Sequence, residues 1–244
     1  MFLSLLAVLA VFSIVSGNRS YTSRWHPNEE LGAFRSLSAE IADYPYVLSI
    51  ENNQNSILCT GTILSAKSAL ITGFCARKII REHFEVIVRA GSSSTGQGGS
   101  EHKIHDPPLK LDGKIPKAID LVEQGSKIND QTKATVIGWG DKGTGNSRKL
   151  RDIKVTVLSS GSCKSSSLYP HFVEREEICA QNSDQGTEGL CDSDDGAPLV
   201  VTMDNKLAGI VNQHPPSCIG LINSYYNMSQ FGDWIRTNIQ ECDA

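Results

Sequence analysis

The apolar residues of this chain are gathered in short runs that are bounded by Gly, Ser, Asn or Pro. At Ile153, Val155 and Val157 apolar side chains alternate with polar ones, which is the period-two pattern of a half-buried strand. Short strands of this kind, separated by frequent turn signals, favour an all-β sandwich or barrel. The predicted strands are 46–50, 69–72, 85–90, 134–139, 153–158, 198–202, 207–211 and 223–227.

One clear helix is predicted, at the end of the chain. Phe231, Trp234, Ile235 and Ile239 recur on one face at helical spacing, and Ser229 is a candidate cap. The Gly/Ser-rich stretch 91–100 is expected to form a surface loop. A length of 244 residues suits one all-β domain or two small ones.

The chain begins with an apolar run from Phe2 to Val15 that ends in the small-residue pattern Val15-Ser16-Gly17. This run is shorter than the about 20 apolar residues that a membrane-spanning helix requires. It predicts a secretory signal peptide over residues 1–17, although the usual basic segment before the run is missing. We therefore expect a secreted, extracellular chain that begins near Asn18 and has no membrane partner.

The net charge of −4 is close to neutral, and the Lys and Arg residues are scattered singly. Because no basic stripe is present, nucleic acid is not expected as a partner. Two triplets, Asn18-Arg19-Ser20 and Asn227-Met228-Ser229, match the N-glycosylation pattern and make Asn18 and Asn227 candidate sites.

Seven cysteines indicate an oxidising compartment. No two of them have the C-x2-C spacing of a zinc site, so disulfides are favoured over a metal. Six can pair and one is left over. The cysteines are Cys59, Cys75, Cys163, Cys179, Cys191, Cys218 and Cys242.

The acidic stretch LCDSDDGAPLVV, at residues 190–201, allows several interpretations. A calcium loop fits poorly, because Asp195 and Gly196 arrive one residue too early for the EF-hand pattern and its last ligand position is Met203. A paired-carboxylate hydrolase needs two acids that share a site, whereas adjacent side chains such as Asp194 and Asp195 usually diverge on a loop.

Among the histidines, only His102 and His105, beside Asp106, have a spacing that resembles a ligand set. We expect this trio to be a solvated loop rather than a zinc site. The sequence therefore predicts neither a metal nor another cofactor.

Four blocks resemble the trypsin-like serine proteases, in the order in which that family carries them. CTGTILSAKSALITGFCA (59–76) is similar to the block that carries the family's histidine, and ATVIGWGDKG (134–143) to its Gly-Trp-Gly block. CDSDDGAPLVV (191–201) is similar to the nucleophile block, and FGDWIRTNI (231–239) to the C-terminal helix. The resemblance runs from Tyr44 to the C-terminus. It implies two antiparallel six-stranded β-barrels, the first of them shortened, with a C-terminal helix.

The resemblance also implies a division of the chain. Residues 1–17 are the signal peptide, 18–40 an N-terminal extension like a non-activated propeptide, and 41–244 the trypsin-like domain. The cysteines pair as Cys59–Cys75, Cys163–Cys179 and Cys191–Cys218 on this plan. Cys242 is left either free or in an intermolecular bond.

On the family's plan the catalytic residues are replaced. The nucleophile position falls on Asp195, and the histidine position on Phe74, whose ring cannot accept a proton. We expect Phe74 to be a packing residue beside a disulfide. The catalytic aspartate is missing with its surroundings, since something like ~20–25 residues, enough for two short strands, are absent. Asp106 is the nearest acid and lacks the flanking pattern.

The surroundings of these positions are altered as well. Ser193 stands where the family has an oxyanion-hole glycine, and Gly189 where trypsins have the acid of the specificity pocket. We expect a narrowed or filled pocket. Its altered wall and mouth are Asn212, Gln213, His214 and Asn223.

Activation chemistry is missing too. No Ile-Val-Gly-Gly terminus follows a basic residue near Arg35. In the family such a terminus delivers its ammonium to the position of Asp194. Without that partner, we expect Asp194 to be a solvated turn acid.

Together these replacements predict a secreted pseudoprotease that works by binding other proteins. Within the family, the chain most resembles the inactivated protease paralogues of the scabies mite, which are related to mite trypsin-type allergens. That resemblance implies host defence proteins, notably complement, as partners. Two alternatives stay open: a hydrolase with residual activity or a site rebuilt around Asp194 and Asp195, and a truncated product without function.

Overall fold

The structure is a computed structural model that describes residues 7–11, 38–83, 85–104, 106–111, 115–140, 149–166, 172–183, 189–215 and 222–243. The described part is mostly β, and it contains an open sheet, a closed barrel and a few helices. No described helix is long and apolar enough to cross a membrane.

The first sheet has six strands in the order β1-β4-β3-β2-β5-β6. All of its pairings are antiparallel except that of β1 with β4, which is parallel. The predicted shortened first barrel is thus an open sheet, with β1 and β6 at its edges among the described strands. Its strands are β1 (Ala7–Val11), β2 (Val47–Glu51), β3 (Ile57–Ile63), β4 (Ser68–Thr72), β5 (Ile87–Ala90) and β6 (Ser100–His102).

The second sheet is a closed barrel with the strand order β10-β11-β12-β9-β8-β7. Closure pairs every strand on both sides and leaves no edge. Val136, Val155, Leu199 and Tyr225 are among the side chains of its buried cluster. The strands are β7 (Lys133–Gly138), β8 (Arg151–Val157), β9 (Glu177–Asn182), β10 (Pro198–Val201), β11 (Leu207–Gln213) and β12 (Ile222–Asn227).

Every predicted strand has an observed counterpart whose ends differ by at most two residues. Short strands with strong turn signals are well marked by local sequence, and assigned ends vary by this amount in any case. The sequence did not predict β1, β3, β6 or β9, nor the two shorter helices.

Three α-helices flank the sheets: α1 (Gly73–Arg81), α2 (Ser160–Ser165) and α3 (Met228–Asp243). Thr72 caps α1, because its Oγ1 accepts a hydrogen bond from the amide of Cys75 at 3.1 Å. The terminal helix α3 confirms the predicted one and buries Ile235 against the core.

Two details of α3 differ from the prediction. Trp234 is 44% exposed and does not share the buried face. The first turn is satisfied by Asn227, whose Oδ1 accepts from the amide of Ser229 at 3.1 Å, so Ser229 is not the cap.

The two sheets share one apolar core, to which Val47 and Leu70 of the first sheet and Leu207 of the barrel all belong. Ala39 also lies in this core, 7% exposed, and its amide donates to the carbonyl of Leu150 at 2.8 Å. The predicted boundary between extension and domain at residue 40 thus directly follows a residue of this core, and the division itself stays a prediction.

Two disulfides fasten helices to strands. Cys59–Cys75 joins β3 to α1, and Cys163–Cys179 joins α2 to β9. These are the pairings that the family resemblance implies. Cys191 is disulfide-bonded as well, while its predicted partner Cys218 lies outside the described residues.

The Gly/Ser-rich stretch 91–100 is a surface loop whose backbone is anchored by hydrogen bonds to a buried ion pair. Arg89 Nε lies 3.1 Å from Oε2 of Glu51, and both side chains are almost fully buried. The same two groups reach the loop, because the amide of Gly96 donates to the Glu51 carboxylate and Arg89 Nη1 donates to the carbonyl of Gly98.

Candidate functional site

The stretch that includes Asp194 and Asp195 lies where the two sheets meet. It forms a 3-10 turn, Asp192–Asp194, directly before β10. The amide of Thr60 on β3 donates to the carbonyl of Asp195 at 3.1 Å, and Thr60 Oγ1 donates to the carbonyl of Ser193 at 3.0 Å. We call residues 191–196 the aspartate loop.

Gly196 allows the aspartate loop to approach β3 so closely. Its φ of +82° is in the region that favours glycine, and a Cβ there would lie 2.5 Å from the carbonyl oxygen of Thr60. Its amide donates to the carbonyl of Val211 on β11 at 3.1 Å. One residue thus ties the loop to both sheets.

Asp194 points into the protein, with 1% of its surface exposed. Its Oδ1 accepts from the amide of Gly140 at 2.8 Å, its Oδ2 accepts from the amide of Cys191 at 3.0 Å, and Arg151 Nη2 lies 4.0 Å from Oδ2. The expectation of a solvated turn acid was wrong, because a cation from β8 and two backbone donors satisfy the buried carboxylate.

Asp195 points the other way, towards α1 and the end of β11. Its side chain is 10% exposed, with Lys78 Nζ 3.7 Å from Oδ2 and His214 Nε2 4.0 Å from Oδ1. Burial raises the pKa of Asp195 from its usual 3.8 to about 6, against the opposing effect of Lys78 and His214.

His214, predicted as part of the altered pocket wall, contacts two carboxylates of the aspartate loop. Its Nε2 lies 3.3 Å from Oδ1 of Asp192. Burial lowers the pKa of His214, but the bond to Asp192 and the charges of both carboxylates outweigh it, so that the pKa is raised. The same bond lowers the pKa of Asp192. The two groups thus favour each other's charged forms.

Lys78, on α1, connects the aspartate loop with Phe74. Its Nζ donates to the carbonyls of Leu58 at 2.8 Å and Asp192 at 3.2 Å, and it lies 4.7 Å from the centroid of the Phe74 ring. Phe74 is 48% exposed. It adjoins the disulfide cysteine Cys75 in sequence, and its half-exposed ring packs against cations of its own helix.

The cluster consists of charged side chains that contact one another. His214 contacts the carboxylates of Asp192 and Asp195 and the carbonyl of Pro215. The lysine, in turn, partly neutralises Asp195.

Two of the remaining pocket residues, Asn212 and Asn223, form hydrogen bonds within the protein. Asn223 is buried and its Nδ2 lies 3.5 Å from Oδ1 of Asn182, while Asn212 Nδ2 donates to the buried Glu177. Gln213 is half-buried and Gly189 is buried, next to the undescribed residues 184–188. The predicted narrowing of the pocket remains a prediction.

The geometry bears on the other interpretations of the acidic stretch. Asp194 and Asp195 diverge, one carboxylate bonded inside the protein and the other facing Lys78, so these two do not form a shared acid pair. Among the described residues, no group of three or more His, Cys, Asp or Glu side chains is placed to hold a metal ion.

The loop-forming trio and the glycosylation candidates are only partly described. His102 bonds to Ser100 at 2.8 Å and Asp106 accepts from the amide of Lys103, while His105 lies outside the described residues. Asn18 lies outside them too. Asn227 Nδ2, the nitrogen that would carry a glycan, donates to the carbonyl of Arg175, so a glycan there would compete with this hydrogen bond.

A closed β-barrel packed against a second β-sheet, with an aspartate loop at their junction and a C-terminal helix, defines a scaffold of the chymotrypsin type. The Trypsin family profile matches residues 108–235, just over half of the chain. Trypsin eta of Drosophila melanogaster is 30% identical over 72% of this chain and 75% of its own length. The chain therefore belongs to the trypsin family.

Other relatives agree with this assignment. The vitellin-degrading protease of Bombyx mori is 25% identical over 87% of this chain and 89% of its own length. Among solved structures, the scabies mite inactivated protease paralogues S-D1 and S-I1 each superpose with a TM-score of 0.70 over 84% of this chain. They cover 96% and 99% of their own chains at 18% and 19% identity, a similarity that shows the fold.

Sequence reasoning missed several residues of the site. Lys78 follows Phe74 by four positions in α1, and that spacing would have revealed their contact once a helix was predicted there. Thr60, Arg151 and Glu177 left no such signal, because each reaches its partner from a distant strand.

Proposed function

We propose that this member of the trypsin family is a catalytically inactive homologue that acts by binding other proteins. The observation that carries the proposal is the carboxylate of Asp195, a residue that the family resemblance places at the nucleophile position. A carboxylate there has no hydroxyl proton to give up, and its charged neighbours are Lys78 at 3.7 Å and His214 at 4.0 Å.

The other catalytic positions support the same conclusion. Phe74, at the histidine position, has no nitrogen to accept a proton, and cations of α1 lie against its ring. A negative charge on Asp195 would also repel the oxyanion that develops during peptide hydrolysis. On the family's plan, base, nucleophile and oxyanion stabilisation would therefore be lost together, which supports the proposed inactivity.

We also propose that the protein is secreted after removal of residues 1–17, with residues 41–244 as the trypsin-like domain. The disulfides Cys59–Cys75 and Cys163–Cys179 support an oxidising destination, since such bonds persist mainly outside the cytosol. The partners proposed are proteins, and host defence proteins such as complement are the first to test.

The enzymatic half of the proposal is tested with the purified secreted chain, casein, a panel of peptide substrates and a fluorophosphonate probe. We expect neither turnover nor labelling, in the protein itself and equally in Asp195→Ala. Turnover by the original protein that disappears in Asp195→Asn or Asp194→Asn would contradict inactivity and support a rebuilt hydrolase. Turnover that is equal in all variants identifies a contaminating protease, which affinity purification should then remove.

The binding half is tested in plasma. The immobilised protein should retain a small set of complement or other defence proteins, identified by mass spectrometry, and should lower complement-mediated lysis of red cells. The same protein after reduction and alkylation is the control for the folded surface. Equal retention by folded and reduced protein, with lysis unchanged, would contradict the complement proposal.

The truncated-product alternative is tested by thermal melting followed by circular dichroism. A chain with two packed sheets and a shared core should unfold in one cooperative transition. A gradual loss of signal without a transition would favour a product that has no stable fold.

A further inference from the structure

The strand β1 lies within the predicted signal peptide, yet it is part of the first sheet. Its residues pair in parallel with β4, from Ala7 opposite Ser68 to Val11 opposite Thr72. Both α1 and α3 approach β1. The apolar sequence AVLAV therefore lies along the edge of β4 and close to both helices, in a place that we call the slot.

Removal of residues 1–17 would empty this slot. On its other side β4 pairs with β3, through Leu70 opposite Thr62 and Ala69 opposite Ile63. The family resemblance implies that two short strands are lost from the first barrel, and no other described strand pairs with the outer side of β4. In the mature chain, the outer edge of β4 would thus have unpaired backbone N–H and C=O groups beside apolar side chains. Such an edge is a template for another strand.

We propose that the slot along β4, close to α1 and α3, is an interaction site that binds an extended, apolar, proline-free segment of a partner protein as a strand parallel to β4. The chemistry of the occupant is taken from the strand that fills the slot: small and branched apolar residues, no charge and no proline. Backbone hydrogen bonds to β4 would supply affinity, and the alternating side chains would supply selectivity.

This proposal names a surface for the binding function proposed above and rests on it, and it further requires that the leader is removed. The first measurement is therefore the N-terminus of the secreted protein by mass spectrometry. A secreted protein that retains residues 7–11 would overturn the proposal, because its slot is already filled.

The binding test uses the mature chain beginning at Asn18 and a fluorescent peptide with residues 6–12, LAVLAVF, flanked by lysines for solubility. We expect saturable binding by fluorescence anisotropy and at least about tenfold slower amide hydrogen exchange at residues 68–72. The matched control is the same peptide with alternate backbone amides N-methylated, which keeps the side chains and removes the donors. That peptide should lose the binding.

Three results would overturn the proposal: no saturable binding, equal binding of the N-methylated peptide, or amides of residues 68–72 facing away from β3 that exchange slowly before peptide is added. The last result would mean that a second copy or another segment of this chain already covers the edge. If the protein binds the peptide but proves to be an active hydrolase, the binding site is supported and the proposed inactivity is contradicted. The failure of one proposal can therefore be told from the failure of the other.

Discussion

Arg151 of β8 faces Asp194 of the aspartate loop, and Nη2 of its guanidinium lies 4.0 Å from Oδ2 of the buried carboxylate. On the plan of the trypsin family, the acid at the position of Asp194 pairs with a terminal ammonium that proteolytic cleavage creates. Here a cation that is part of the uncut chain faces it. Ser38, shortly after the position at which the family is cleaved, forms an antiparallel bridge with Arg151.

Arg151→Met should destabilise the protein by about 2–3 kcal/mol, because it leaves a buried carboxylate with backbone donors alone. The measurement is urea unfolding at neutral pH. Arg236→Met is the control, since its bond to Asp233 is exposed and should be worth under about 1 kcal/mol. Adding Asp194→Asn to Arg151→Met should recover part of the loss. Equal effects of the two arginine variants would contradict the buried pair.

Gly140→Ala should be more destabilising than a glycine-to-alanine change elsewhere in the same backbone region. Gly140 has φ +53°, and a Cβ there would collide with the Arg151 guanidinium. Gly125 has φ +72° with nothing within 4 Å, so Gly125→Ala measures the backbone strain of about 1 kcal/mol alone. Urea unfolding of both variants isolates the collision. Equal losses would mean that Arg151 moves aside without cost.

The fold was largely predictable from the sequence, whereas the site was predictable only in part. Alternation such as Ile153-Val155-Val157 is local, and β8 therefore has nearly the predicted bounds. The burial of Asp194 depends on Arg151 and Gly140, which lie on other segments and carry no signal in its neighbourhood. An apolar leader and an apolar strand have the same composition, and for this reason β1 was not predicted.

Asp195→Asn should change how stability depends on pH. The pKa of Asp195 is raised from 3.8 to about 6, so between these values the folded protein binds a proton that the unfolded chain has released. This group therefore favours folding at low pH, and its contribution is lost as pH rises through about 6. The difference amounts to at most about 3 kcal/mol.

Unfolding free energies of the original protein and Asp195→Asn are compared at pH 4.5 and pH 7.5. The variant should gain stability relative to the original between the two values, because the amide does not ionise. The contact between His214 and Asp192 is common to both proteins, so its contribution to the pH dependence of stability cancels in the comparison. A constant difference at both values would show that Asp195 titrates normally.

Glu51→Gln should destabilise the first sheet far more than Glu101→Gln, although both carboxylates bond to the same guanidinium of Arg89. Glu51 is fully buried and also accepts from Ser49 and Gly96, so its loss breaks a buried network, at a cost of about 3–5 kcal/mol. Glu101 is exposed, and its pair should be worth under about 1 kcal/mol. Urea unfolding gives the free energies, and limited proteolysis should show earlier cleavage within residues 91–100 in Glu51→Gln alone. Equal stability and equal cleavage in the two variants would show that the buried pair does not anchor the loop.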